Sequence, residues 1–134
     1  MTLLLGFDPG RDKCGIAVKG KNGLLYYHQV IASGEAIATC QSLLQQFPIE
    51  LAVMGDGTTA KQWKSQLETQ LDIPLVLVDE HNSTLEARDR YWQMYPPKGF
   101  ARLIPQGMRL PPRPVDDIVA ILLIERYLAA NSTI

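Results

Sequence analysis

Two tight turns separate three β-type apolar runs within the first 31 residues, and only then does the apolar period lengthen to that of a helix. Residues 3–7 form a short continuous apolar run that ends at the turn formers Asp8-Pro9-Gly10. Residues 14–19 alternate around Ile16 and Val18 and run into Gly20-Lys21-Asn22-Gly23. Residues 24–31 are rich in aromatic and branched side chains, which suit a half-buried pleated surface. Strands joined this closely can pair only as neighbours, so the segment predicts an antiparallel meander.

The rest of the chain alternates periods. Ile37, Cys40, Leu43, Leu44 and Phe47 recur every three or four residues, predicting a helix capped by Ser33 and stopped by Pro48. Residues 50–54 read as a buried strand leading to Gly55-Asp56-Gly57. A second helix follows, capped by Thr58 or Thr59 and carrying Trp63 and Leu67 on one face. Pro74-Leu75-Val76-Leu77-Val78 is another buried strand, ending at Asp79-Glu80. Asn82 or Ser83 caps a third helix bearing Leu85, Arg88, Tyr91, Trp92 and Tyr95, which Pro96-Pro97 ends. Residues 96–114 hold six of the nine prolines and four basic residues, predicting one long, mobile, basic loop. Residues 115–129 are a strongly apolar helix opening on Asp116-Asp117. Helices between successive strands require crossovers. The expected fold is therefore an α/β mixed five-stranded sheet, a three-stranded antiparallel meander plus two parallel strands, flanked by helices.

At 134 residues with 46% hydrophobic and 20% charged side chains, the chain has length for one globular domain spanning 1–134. No apolar run reaches the roughly 18 residues of a membrane-spanning helix, and the N-terminus lacks the basic region of a secretion signal. Two cysteines, Cys14 and Cys40, make no disulfide framework, so a reducing cytoplasm is the expected compartment. The formal net charge of −1 conceals an asymmetry. From Arg88 to Arg113 there are six bases and one acid, Asp89, leaving seven bases and thirteen acids elsewhere. Phosphates meet side chains within a Debye length of about 8–10 Å, so local charge governs contact with a polyanion.

Acids stand at the ends of apolar elements. Asp8 follows the first strand, Glu80 the last, and Asp116 and Asp117 open the terminal helix. Residues just beyond parallel strand ends converge on the functional crevice of an open α/β sheet. With the first and last strands side by side, Asp8 and Glu80 would face each other. Carboxylates so gathered repel unless hard cations such as Mg²⁺ or Mn²⁺ lie between them. Each acid also suits its local position, Asp8 in a turn and the others at helix starts.

The chain resembles the YqgF (RuvX) group of RuvC-like nucleases in the ribonuclease H-like superfamily. The resemblance rests on four motifs in order: Asp8-Pro9-Gly10-Arg11-Asp12-Lys13-Cys14-Gly15, Leu51-Ala52-Val53-Met54-Gly55, Val78-Asp79-Glu80-His81-Asn82-Ser83-Thr84 and Val115-Asp116-Asp117-Ile118-Val119-Ala120. It implies a ribonuclease H-like fold, with Asp8, Glu80 and Asp116 as catalytic metal ligands and Asp117 in reserve. It also implies maturation of the small-subunit ribosomal RNA precursor, or Holliday-junction resolution. The group usually carries Arg where His81 and Lys13 stand here, and a more apolar loop at Gly55-Asp56-Gly57.

These expectations describe phosphodiester hydrolysis with two divalent ions, Mg²⁺ or Mn²⁺. Arg11, Lys13, His81, Arg102, Arg109 and Arg113 are the candidate contacts to nucleic acid, the last three in the long loop. His28 reads as a strand residue, the cysteines as small buried apolar groups, and Trp63, Tyr91, Trp92 and Tyr95 as core by their helical spacing. Branched DNA would call for two active sites in a homodimer, whereas trimming a single strand needs only a monomer. The rival readings are a non-catalytic nucleic-acid-binding module and an actin-like nucleotide-binding domain. The latter closes on ATP with two such domains, and the chain has length for one.

Overall fold

The computed structural model describes residues 2–131. Its elements follow the predicted order: β1 (Leu3–Asp8), β2 (Lys13–Gly20), β3 (Leu25–Ala32), α1 (Ala36–Gln46), β4 (Ile49–Gly55), α2 (Ala60–Gln70), β5 (Leu75–Val78), α3 (Ser83–Met94) and α4 (Asp116–Ala130). The five strands form one sheet in the order β3-β2-β1-β4-β5. β1, β2 and β3 pair antiparallel, while β4 runs parallel to both β1 and β5. Among the described residues no helix is long and apolar enough to cross a membrane.

Strand alternation divides the core into two layers. Leu3, Leu5 and Phe7 of β1, with Cys14, Ile16 and Val18 of β2, pack against Cys40 and Leu43 of α1 and Leu67 of α2. Leu4, Ala17 and Val53 face the opposite side, where α4 lies. That helix is buried continuously from Asp117 to Ile124, so its unbroken apolar run reflects a position sandwiched between the sheet and α3.

Three local expectations are corrected. β4 intervenes between β1 and β5, so the first and last strands are not neighbours. Ser33 does not cap α1; its hydroxyl donates to the Gly10 carbonyl at 3.0 Å and ties the end of β3 to the first turn. Leu85 is 59% exposed, because the buried face of α3 is set by Ser83, Ala87 and Tyr91. The segment from 96 to 114 contains two 3-10 turns, Gly99–Leu103 and Gln106–Met108, with no buried residue in either.

Candidate active site

Alternation along β1 places Asp8 on the same face as Leu4, under α4. Asp8 pairs in register with Gly15 on β2. The backbone carbonyl of Asp116, the first residue of α4, lies so close to Gly15 that a Cβ there would overlap it. A residue without a side chain at position 15 is therefore what lets the start of α4 descend onto the end of β1. The Asp8 and Asp116 carboxyl groups come near enough for each to act on the other's ionisation. Burial, then the charges of Asp116 and Glu80, push Asp8 up to about 8. Burial also raises Asp116, with Asp117 acting in the same sense, while Asp8 and the charge of Lys13 act the other way.

Glu80 reaches the site by a different route. β1 and β4 pair as far as Phe7 with Met54, immediately before Asp8 on one strand and Gly55 on the other. The Glu80 carboxylate lies over Gly55 and Gly57, and a Cβ at either would collide with one of its oxygens. The Gly55-Asp56-Gly57 turn thus opens the path across β4 that strand order would otherwise close. The Glu80 amide donates to Asp56 Oδ1 at 3.2 Å, and Asn82 adopts a left-handed conformation at φ 59° to turn the chain into α3. Burial and the neighbouring Asp56 and Asp79 raise Glu80, and Arg126 partly offsets them.

Arg126, on α4, was not singled out from sequence. Its guanidinium donates to the carbonyls of Asp79 at 2.7 Å and His81 at 2.8 Å and to Glu86 at 2.9 Å. It therefore fixes the turn that carries Glu80. The available signal was the charged pair Glu125-Arg126 interrupting an otherwise apolar helix.

Asp117 takes no part in the Asp8–Asp116 contact. It is 2% exposed and held between His28 Nδ1 at 2.6 Å and Arg113 at 2.9 Å. The hydrogen bonds from Arg113 and His28 outweigh its burial and keep its carboxyl below the usual range. His28 is thus more than a strand residue: its β3 position pairs with Ala17, on the face that α4 covers. Arg113 also lies 5.4 Å from the Tyr91 ring centroid and 5.8 Å from that of Tyr95. Arg109 lies 5.8 Å from Trp92 and donates to the carbonyls of Ala101 and Ile104. These two loop arginines are therefore engaged in anchoring the loop. Arg102 and His81 are exposed, and Arg11 pairs with Asp12 at 3.3 Å in solvent.

Among the described residues no three His, Cys, Asp or Glu side chains lie close enough together to hold a metal ion. Asp116 and Glu80 are each near enough for their charge to act on Asp8, and the Glu80 carboxylate lies over the glycine turn. The donor chemistry nonetheless fits a hard divalent cation. All three candidates are carboxylates, and burial, with neighbouring negative charge second to it, raises each of them, the condition a cation relieves.

No family model matches the chain. It is 27% identical over 161 residues, covering 100% of the chain, to a Pseudomonas fluorescens protein named "Putative pre-16S rRNA nuclease", of which the match covers 97%. A Xanthomonas axonopodis protein of the same name is 28% identical over 144 residues, covering 95% of this chain and 87% of the relative. The corresponding Coxiella burnetii protein is 23% identical over 151 residues, covering 94% and 92%. Among solved structures, Thermus thermophilus RuvC in complex with a Holliday junction substrate superposes with a TM-score of 0.60 at 19% identity, covering 97% of this chain and 96% of RuvC. Together with the motifs and the sheet order, these likenesses make the chain a homologue of the proteins named for pre-16S rRNA cleavage, built on the ribonuclease H-like fold of RuvC.

Proposed function

We propose that the chain is a divalent-metal-dependent endonuclease that hydrolyses phosphodiester bonds in structured nucleic acid, with the ribosomal RNA precursor as its substrate. The observation that carries this reading is the half-buried Asp8–Asp116 pair at the end of β1, with Glu80 near enough for its charge to act on Asp8 and with Gly15, Gly55 and Gly57 making the room. An acid pair so placed costs stability, and divalent cation chemistry gives it a use. Asp8, Glu80 and Asp116 would hold Mg²⁺ or Mn²⁺, two ions supplying an activated water and stabilisation of the leaving oxygen.

The chain's own residues contribute position and charge. Gly15, Gly55 and Gly57 remove the side chains that would keep Asp116 and Glu80 from Asp8. Lys13 is exposed at the start of β2, and its charge acts on Asp116, where it balances an incoming phosphate. Arg11, His81 and Arg102 supply further exposed contacts to the polyanion. Arg109 and Arg113 act by shaping the loop, which orders on substrate. The two buried cysteines are free, in keeping with a cytoplasmic enzyme.

The sequence relatives favour ribosomal RNA precursor over branched DNA, since the likeness to RuvC lies in the fold. A cleavage panel with Mn²⁺ decides, comparing precursor RNA, single strands and four-way junctions beside Asp8→Asn. The expected result is cleavage of the RNA that Asp8→Asn abolishes. Junction cleavage instead would select the resolvase reading and a homodimer, whereas binding without any cleavage would select the non-catalytic module.

A further inference from the structure

A cleft of about 370 Å³ opens beside Asp116, between α3 and the end of the long loop. Thr84 and Arg88 of α3 form one wall, Leu110 and Pro111 the other, and Asp116 lies in its lining. Its volume sits at the low end of the roughly 300–1,000 Å³ typical of small-ligand sites, enough for one nucleotide unit and far too little for a duplex. Arg88 is exposed and has no ion-pair partner among the described residues. The facing Leu110 is 73% exposed, an apolar side chain left in water beside prolines.

We propose that this cleft is a nucleotide subsite for an unpaired strand, in which Arg88 and Thr84 take the phosphate and sugar and Leu110 takes the face of the base. The two walls match the two halves of a nucleotide, a cation and hydroxyl on one side and apolar surface on the other. A duplex buries its base faces in stacking, so only an unpaired nucleotide offers the surface that Leu110 can cover. Charge complementarity points the same way, because Lys98 and Arg102 on the same loop are, like Arg88, exposed and without an ion-pair partner among the described residues, and no acid stands between Asp89 and Asp116. The pattern extends along the loop, where Phe100 is 87% and Leu103 80% exposed, interleaved with Lys98 and Arg102. Placing the subsite next to the scissile bond rests on the nuclease reading; the binding itself does not.

The test is fluorescence anisotropy of labelled single strands of about ten nucleotides, RNA and DNA of one sequence, and of the corresponding duplexes. The whole chain is titrated in chelator so that cleavage cannot intervene. Arg88→Gln is expected to weaken single-strand binding about tenfold and to flatten its salt slope by about 0.7. Arg88→Lys is expected to restore the slope. Leu110→Ser is expected to weaken single-strand binding about fivefold with the slope unchanged. Both positions are exposed, and circular dichroism of each variant confirms that the fold persists. Duplex binding as tight as single-strand binding overturns the proposal, as does a Leu110→Ser variant that dissociates a dimer while binding single strands normally. If Asp8→Asn cleaves normally while the cleft variants lose binding, the nuclease reading falls and the subsite stands.

Discussion

Replacing Asp8 by Asn should make the metal-free protein more stable while removing its activity. A carboxyl moved from 3.8 to about 8 resists ionisation across roughly four decades of pH, at about 1.4 kcal/mol each. The full effect would be about 5–6 kcal/mol. Water reaches this partly buried site and Asp116 shares the burden, so about 2–3 kcal/mol is the working expectation. The sign follows from linkage. Below pH 4 Asp8 is protonated folded or unfolded and costs nothing; as pH rises only the unfolded chain ionises freely, and stability drains away up to about pH 8. Asparagine never ionises. Thermal unfolding in chelator at pH 8 should therefore show Asp8→Asn about 8–12 °C above the parent, the gap closing near pH 4. An Asp8→Asn protein no more stable than the parent at pH 8 would refute the claim that the fold holds Asp8 where ionising is costly.

Three further outcomes follow from the same geometry. Gly57→Ala places a methyl where the Glu80 carboxylate lies, so cleavage should fall at least tenfold, with a stability loss of only about 1–2 kcal/mol in urea unfolding. Asp117→Asn should behave oppositely to Asp8→Asn, costing about 2–3 kcal/mol at pH 7, because it strips a buried partner from Arg113 and His28. Glu125 bonds Lys19 at 2.5 Å and Arg90 at 2.7 Å, and these partners hold its carboxyl down to about 2. Since that pKa is depressed, its stabilisation is present above about pH 4.5 and lost as pH falls toward 2, and Glu125→Ala should cost about 2 kcal/mol at neutral pH.

The elements and their order were legible because each period is local: alternation in 14–19 or a three-to-four spacing from Ile37 to Phe47 is set by residues a few positions apart. The turns that present Asp8 and Glu80 were legible for the same reason. Strand order was not, because insertion of β4 between β1 and β5 depends on two crossovers whose positions no local pattern records. The consequence was a misplaced neighbour for Asp8, rescued by the glycines of residues 55–57, which sequence alone showed only as a departure from the family's loop. The division of labour between Asp116 and Asp117 was likewise hidden. Adjacent helix residues point about 100° apart, and only the docking of α4 decides which meets Asp8 and which meets His28 on β3. Arg113, placed with the phosphate contacts by its charge, is drawn inward by a partner four residues along the chain.

Mn²⁺ binding to the full chain, followed by electron paramagnetic resonance of the free ion at pH 7.5, reaches the acidic site without relying on any substrate. Saturable uptake is expected of the parent and of Asp117→Asn, and its loss in both Asp8→Asn and Asp116→Asn. Uptake that survives in Asp8→Asn, or that disappears in a folded Asp117→Asn while Asp116→Asn retains it, would mean that Asp8 and Asp116 do not hold the ion.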